Sequence, residues 1–190
     1  MTTPHGIEGE GVLLRPAVAD DAPRWLELLR DADSQRYGAP FFVPLPADAD
    51  GLGDRITGSA TAWAEGGPGP LVVVSPDAPD RFLGEISWRW THREQFGVAD
   101  LGYGVHPDAR GRGVGRRAIL ALTRWLMAPE GRGLQRVQLD HSTENPASCR
   151  VALAAGFERE GVRRGYLPLR EADGTVRRHD VCLHGRTTAP

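Results

Sequence analysis

Between Ala99 and Leu126 a strand-like segment, Ala99-Asp-Leu-Gly-Tyr-Gly-Val105, runs into Arg110-Gly-Arg-Gly-Val-Gly115 and then into a run of helical period. Gly111, Gly113 and Gly115 remove side chains from the turn. Backbone N–H groups can therefore converge there, and the positive dipole end of the following helix aims at the same point. Such a turn suits a phosphate or pyrophosphate. Arg110, Arg112, Arg116 and Arg117 add four guanidinium groups, each able to fork two hydrogen bonds onto phosphate oxygens. A Walker loop is excluded, because it ends in Gly-Lys-Ser/Thr and all 23 residues counted as Lys+Arg are arginine. A dinucleotide fingerprint fails as well: after Gly111 and Gly113 the position for its third glycine is Arg116. A turn that only joins a strand to a helix needs one or two glycines, not three beside four arginines.

A second block follows about thirty residues later: Asn145-Pro-Ala-Ser148, then Gly156-Phe157-Glu-Arg-Glu-Gly161. With Arg110, Gly113 and Gly115 matching Gln/Arg-x-x-Gly-x-Gly/Ala, the chain resembles the GNAT superfamily of N-acetyltransferases. The Asn-x-x-Ser...Gly-Phe...Glu-Gly order and the opening Leu14-Arg15-Pro16 with Asp20-Asp21-Ala22 are similar to its ribosomal-protein N-terminal acetyltransferase-like (RimJ/RimL-type) branch. Together the matches span most of the chain.

The resemblance implies an α/β GNAT fold over 1–190 as a single domain. Its sheet is mixed and mostly antiparallel, with helices on both faces and a splayed strand pair holding acetyl-CoA. It implies direct attack of a primary amine, on a protein N-terminus or a small molecule, on the acetyl thioester. Binding of acetyl-CoA would fall to Tyr103, Val105, Arg110, Gly111, Arg112, Gly113, Val114, Gly115, Arg116, Asn145 and Ser148, with the backbone N–H of Tyr103 or Val105 polarising the thioester carbonyl. Two proton tasks remain, taking one from the amine and giving one to the departing thiolate. Ser148 is the candidate acid for the departing thiolate. Asn145 suits an N-cap and Pro146 the first helical position, so Ser148 could equally serve only helix initiation. For the base, Asp140 lies five residues before Asn145 with Val137 and Leu139 on the opposite face. Glu85, Asp100, Glu158, Glu160 and a water relay are the alternatives. His141 and His106 read as surface residues beside loops. The other reading of the whole is a non-catalytic acyl-CoA-binding module that keeps the cradle.

The elements that must position these groups alternate along the chain. Strands are expected at Gly11 to Arg15, Leu71 to Val74, Arg81 to Trp90, 98 to 105, Leu134 to Asp140, 158 to 166 and 177 to 184. Over 81 to 90 the alternation is strict: Phe82, Ile86, Trp88 and Trp90 share one face and Leu83, Glu85, Ser87 and Arg89 the other. Helices are expected after Asp20/Asp21 with Trp25, Leu28 and Leu29 inward, from Arg55 to Ala64, after the cradle with Ala118, Ile119, Leu122, Trp125 and Leu126 inward, and from Pro146 to Ala155. Residues 38 to 53, rich in proline and glycine, read as a loop. The regions 33 to 65 and 167 to 177 are placed to frame the acceptor.

With a formal net charge of −2 and a sequence pI of about 6.3, a general affinity for nucleic acid or anionic membrane is not indicated. No apolar run approaches the length of a membrane span, and the first residues carry no leader pattern, so the expectation is a cytoplasmic protein, with a homodimer as a family habit. The 2 cysteines, Cys149 and Cys182, suggest neither a disulfide framework nor a metal site, and no metal is expected.

Overall fold

A computed structural model describes residues 6–38 and 44–188. The strands are β1 (Ile7–Gly9), β2 (Val12–Arg15), β3 (Pro70–Val74), β4 (Gly84–Trp90), β5 (Val98–Val105), β6 (Arg136–Ser142), β7 (Glu158–Arg170) and β8 (Val176–Thr187). The helices are α1 (Ala22–Arg30), α2 (Ala32–Tyr37), α3 (Gly53–Ala64), α4 (Val114–Met127) and α5 (Pro146–Ala154). The strands form one sheet in the order β1-β2-β3-β4-β5-β6-β8-β7. Every neighbouring pair is antiparallel except β5 and β6, which run parallel.

The two faces of the sheet carry separate apolar clusters. Ile86, Trp88, Leu101, Val137 and Leu139 face α4, whose Ala118, Ile119, Leu122, Trp125 and Leu126 form the buried stripe expected from their spacing. On the other face Val72 and Val74 pack against Trp25, Leu26, Leu28 and Leu29 of α1. Phe82 departs from the expected alternation: it joins the α1 cluster, whereas Ile86 and Trp88 join the α4 cluster. Strand pairing starts only at Gly84, so the chain turns before it and the period-2 rule does not reach back to Phe82.

Two elements escape the sequence reading. The three-residue β1 is joined to β2 through Glu10 and Gly11, both at positive φ (56° and 71°), the conformation of the tightest hairpin loops. The six-residue α2 is capped by Asp31, whose side chain accepts the Ser34 N–H at 3.1 Å. Asp21 does not cap α1; its carboxylate accepts the Val18 N–H at 2.8 Å and holds Arg15 by two hydrogen bonds at 2.7 and 2.8 Å. No helix among the described residues is long and apolar enough to cross a membrane.

Candidate active site

The site is set by where β5 and β6 stop pairing. Their parallel register runs from Val98 opposite Arg136 to Leu101 opposite Leu139 and ends there, although β5 continues to Val105 and β6 to Ser142. The remaining stretches, 102–105 and 140–142, diverge. His106 donates its backbone N–H to Leu83 at 2.9 Å, which fixes the phase of the β4–β5 ladder. Gly104 and Gly102 then turn their peptide groups to β4, and Tyr103 and Val105 turn theirs toward the gap. The two amides expected to polarise a carbonyl are thus the two that face it.

The Gly/Arg turn follows at once. Gly111 and Gly113 stand at φ 73° and 72°, the left-handed region that glycine occupies without a Cβ penalty, and open space lies where a Cβ would project. Gly113 caps α4 without any side-chain acceptor, so the first N–H groups of the helix are not taken up by a cap. Gly115 is needed for a different reason: a Cβ there would lie 3.0 Å from the Tyr103 ring and 3.3 Å from Val105. Val114 is buried beside it and seats the helix on β5. These features fit an anionic pyrophosphate.

The arginines of the turn make different contacts within the protein. Arg110 pairs with Asp31 and Asp33 of the α2 segment, and its Nε donates to the Val105 carbonyl at 3.2 Å. Arg116 donates to the Ala154 carbonyl at 2.9 Å and Arg117 to the Gly11 carbonyl at 3.0 Å. Arg112 is exposed and makes no hydrogen bond or ion pair among the described residues. Three of the four therefore brace the loop against α2, α5 and the β1–β2 hairpin.

On the α4 side of the gap, Ser148 and Tyr103 meet. The Ser148 Oγ lies 3.0 Å from the Tyr103 hydroxyl, and the Asn145 side chain accepts the Ser148 N–H at 3.1 Å. Asn145 and Pro146 thus start α5 as their types dictate, and the cap leaves the Ser148 hydroxyl available. Burial raises the Tyr103 pKa, with the Ser148 hydrogen bond opposing, so the phenol holds its proton at neutral pH. The tyrosine hydroxyl is the component the sequence reading missed. Only the alternation of β5, which puts Tyr103 on the α4 face, could have indicated it.

The carboxylates lie on the opposite face. Asp140 occupies the first position of β6 beyond the last paired residue, half-buried, 3.7 Å from Arg163. Its pKa is raised first by burial and then by the charge of Asp100, against Arg89 and Arg163. Glu85, on β4 opposite Gly104, accepts the Trp25 Nε1–H at 2.6 Å. Burial raises its pKa too, against Arg55 and that hydrogen bond. Glu85 lines a cavity of about 360 Å3 with Arg55, Gly58, Pro68, Pro70 and Ser87, so α3, from the region expected to frame the acceptor, forms one wall.

Other acids are taken elsewhere. Glu160 is held by Arg136 through a forked pair that lowers its pKa, and Asp100 accepts from Gln138 Nε2 at 2.7 Å. Glu158 is exposed at the far end of β7, opposite Gly185. His106 is buried, with Glu27 at 2.9 Å and Asp108 at 2.8 Å on its two ring nitrogens. His141 faces away from Asp140 and is buried against His184.

Residues 12–158 match the family described as the acetyltransferase (GNAT) domain. The chain belongs to the GNAT acetyltransferase family. It is similar to a ribosomal-protein-S5-alanine acetyltransferase from Vibrio fischeri, with a TM-score of 0.77 at 20% identity over 95% of this chain and 94% of that one. RimJ from Mycobacterium smegmatis, solved in complex with CoA-disulfide, gives a TM-score of 0.77 at 22% identity over 93% and 82% of the two chains. A mycothiol acetyltransferase from Actinosynnema mirum is 34% identical over 87 residues, covering 46% of this chain and 28% of that protein. The GNAT chain described here thus spans well under half of that relative's length.

Proposed function

We propose that this GNAT protein transfers the acetyl group of acetyl-CoA to a primary amine by direct attack. The observation that carries this reading is the position of two kinds of proton-handling group on opposite sides of the β5–β6 gap: neutral hydroxyls, Tyr103 and Ser148, on the α4 face, and Asp140 and Glu85 on the α1 face. Acetyl-CoA supplies an activated thioester. The left-handed turn at Gly111 and Gly113 with the first N–H groups of α4 would take its pyrophosphate, and Arg112 would add charge at the rim. The inward amides of Tyr103 and Val105 would bind the thioester carbonyl as negative charge builds on its oxygen.

The amine nitrogen forms the new C–N bond as the C–S bond breaks. Asp140, or Glu85 from the cavity it lines, accepts the amine proton. Ser148, hydrogen-bonded to Tyr103, gives a proton to the departing thiolate and is reprotonated through the phenol. The mycobacterial RimJ structure with CoA-disulfide supports the ligand class.

A thiol-release screen over peptides, polyamines and aminoglycosides tests the proposal. Release of one thiol per acetylated amine with at least one acceptor is the expected result. Calorimetric binding of CoA without thiol release for any amine would overturn it in favour of a binding module.

A further inference from the structure

On the α4 face of the sheet, next to the α5 helix but outside the groups used above, lie His141 of β6, Cys149 of α5 and His184 of β8. His184 stands opposite Leu139 in the β6–β8 register, two residues from His141, so the two imidazoles are diagonal neighbours on one face. One ligand atom from each of His141, Cys149 and His184 lies within 4.8 Å of the others. Their order along the chain carries no hint of this, because the three residues come from three separate elements and show no metal-ligand spacing.

The two rings meet edge to edge. Their Nε2 atoms are 3.1 Å apart while their centroids are 5.1 Å apart, with planes inclined by only 25°. His141 Nδ1 lies 2.8 Å from the Ser142 carbonyl, which can only accept, so Nδ1 carries the proton and the Nε2 lone pair points at His184. His184 is fully buried, and its Nδ1 has no hydrogen-bond partner among the described residues. One nitrogen of the pair, His184 Nδ1, is thus left unpaired beside the Nε2 contact, an uncommon condition for buried nitrogen.

His141 is arranged like a metal-bound imidazole: one nitrogen donates to a backbone carbonyl, and the other, now in contact with His184 Nε2, converges with further ligand atoms. A tetrahedral zinc ion, with Zn–N of about 2.0–2.1 Å and Zn–S of about 2.3 Å, separates its ligand atoms by roughly 3.3–3.6 Å. The N···N separation already matches to within a few tenths of an ångström. A turn of the Cys149 side chain and a small swivel of the rings would complete the set. We propose that His141, Cys149 and His184 form a three-ligand site for a thiophilic divalent transition metal, zinc by ligand class. Two imidazoles and one thiolate select a borderline-soft ion over magnesium or calcium. Cys149 is half-buried, which gives an ion its way in. A bound ion would fasten the first turns of α5 to β6 and β8.

The site is tested by titrating chelator-treated full-length protein with cobalt(II), then with zinc(II). The expected result is one equivalent of cobalt with a thiolate-to-cobalt charge-transfer band, displaced by one equivalent of zinc, and a zinc-dependent rise in Tm. Cys149→Ser, a near-isosteric change at a half-buried position, should abolish the band and weaken zinc binding by more than about 100-fold, beyond the 10- to 100-fold typical of losing an outer-shell partner. His184→Gln should do the same if it folds. Absence of the band in the parent protein, or undiminished zinc affinity in folded Cys149→Ser, would overturn the proposal. Both readouts are independent of acetyl transfer.

Discussion

Ser148 occupies a helix position that could have been purely architectural, and its geometry separates the two roles. Asn145 alone provides the cap, while the Ser148 hydroxyl is spent on Tyr103. Ser148→Ala and Tyr103→Phe should each lower kcat by about 100-fold with CoA affinity nearly unchanged, the loss expected for a positioned acid. A helix-start role alone would instead cost Ser148→Ala about 1 kcal/mol of stability or less, read in urea denaturation. Asp140 makes an opposite kind of prediction. Its folded pKa lies above the ordinary carboxylate value, so ionising it penalises the folded state. That penalty is absent at pH 3 and develops as the pH rises through the raised pKa. Asp140→Asn should therefore gain stability over the parent near pH 7 and none at pH 3, while its kcat/KM falls most at the low end of the activity profile, where the amine is protonated. At this scale the spacing Asn145 to Ser148 was readable because a cap and its third helical residue are local. The pairing of Arg110 with Asp31 and Asp33 was not, since nothing local joins residues nearly eighty positions apart.

Two glycines of the turn do different work, and substitution separates them. Gly113→Asp places a carboxylate into open space at a left-handed residue, where it would repel a pyrophosphate without colliding with the protein. CoA affinity in calorimetry should fall at least tenfold in a folded variant. Gly115→Ala presses on the Tyr103 ring at 3.0 Å, so its main effect should be on kcat, through the Tyr103–Ser148 contact, with a smaller change in affinity. Equal effects of both variants on affinity alone would contradict this division. Long periodic elements such as α4 were legible from sequence because burial imposes their period. The short β1 and α2 were not, because their stability comes from a hairpin turn at Glu10-Gly11 and from docking against distant residues. Arg36 and Tyr37 of α2 reach Glu144, just ahead of α5.

At the scale of the whole molecule, one sheet separates two apolar clusters, each with its own tryptophans: Trp25 on the α1 side, Trp88 and Trp125 on the α4 side. The strands β2 and β3 contribute residues to both, so neither cluster can dissolve without disturbing the ladder that supports the other. Urea unfolding of the parent and of Trp25→Phe, followed by tryptophan fluorescence and by far-ultraviolet circular dichroism, should give coincident midpoints within each protein. Separate midpoints would mean that the two faces unfold independently. The order of motifs made the fold class readable, since glycine turn, helix, strand and Asn-capped helix occur in a sequence that few architectures share. Which face each motif occupies was readable only where alternation was unbroken, and the turn before Gly84 shows where that reasoning stops.

The early end of the β5–β6 register has a consequence for solubility. Past Leu101 and Leu139 two strands expose inner edges to each other, and an unpaired edge is a template for a foreign strand. The notch is too short and too poor in side chains to be a good one: Gly102 and Gly104 interrupt it, and Arg110 occupies the Val105 carbonyl at its end. Replacing these glycines with β-branched residues would raise strand propensity while lengthening an adhesive edge. The low intrinsic strength of this strand end is thus a safeguard against self-association, and improving it in isolation would make the protein more prone to aggregate.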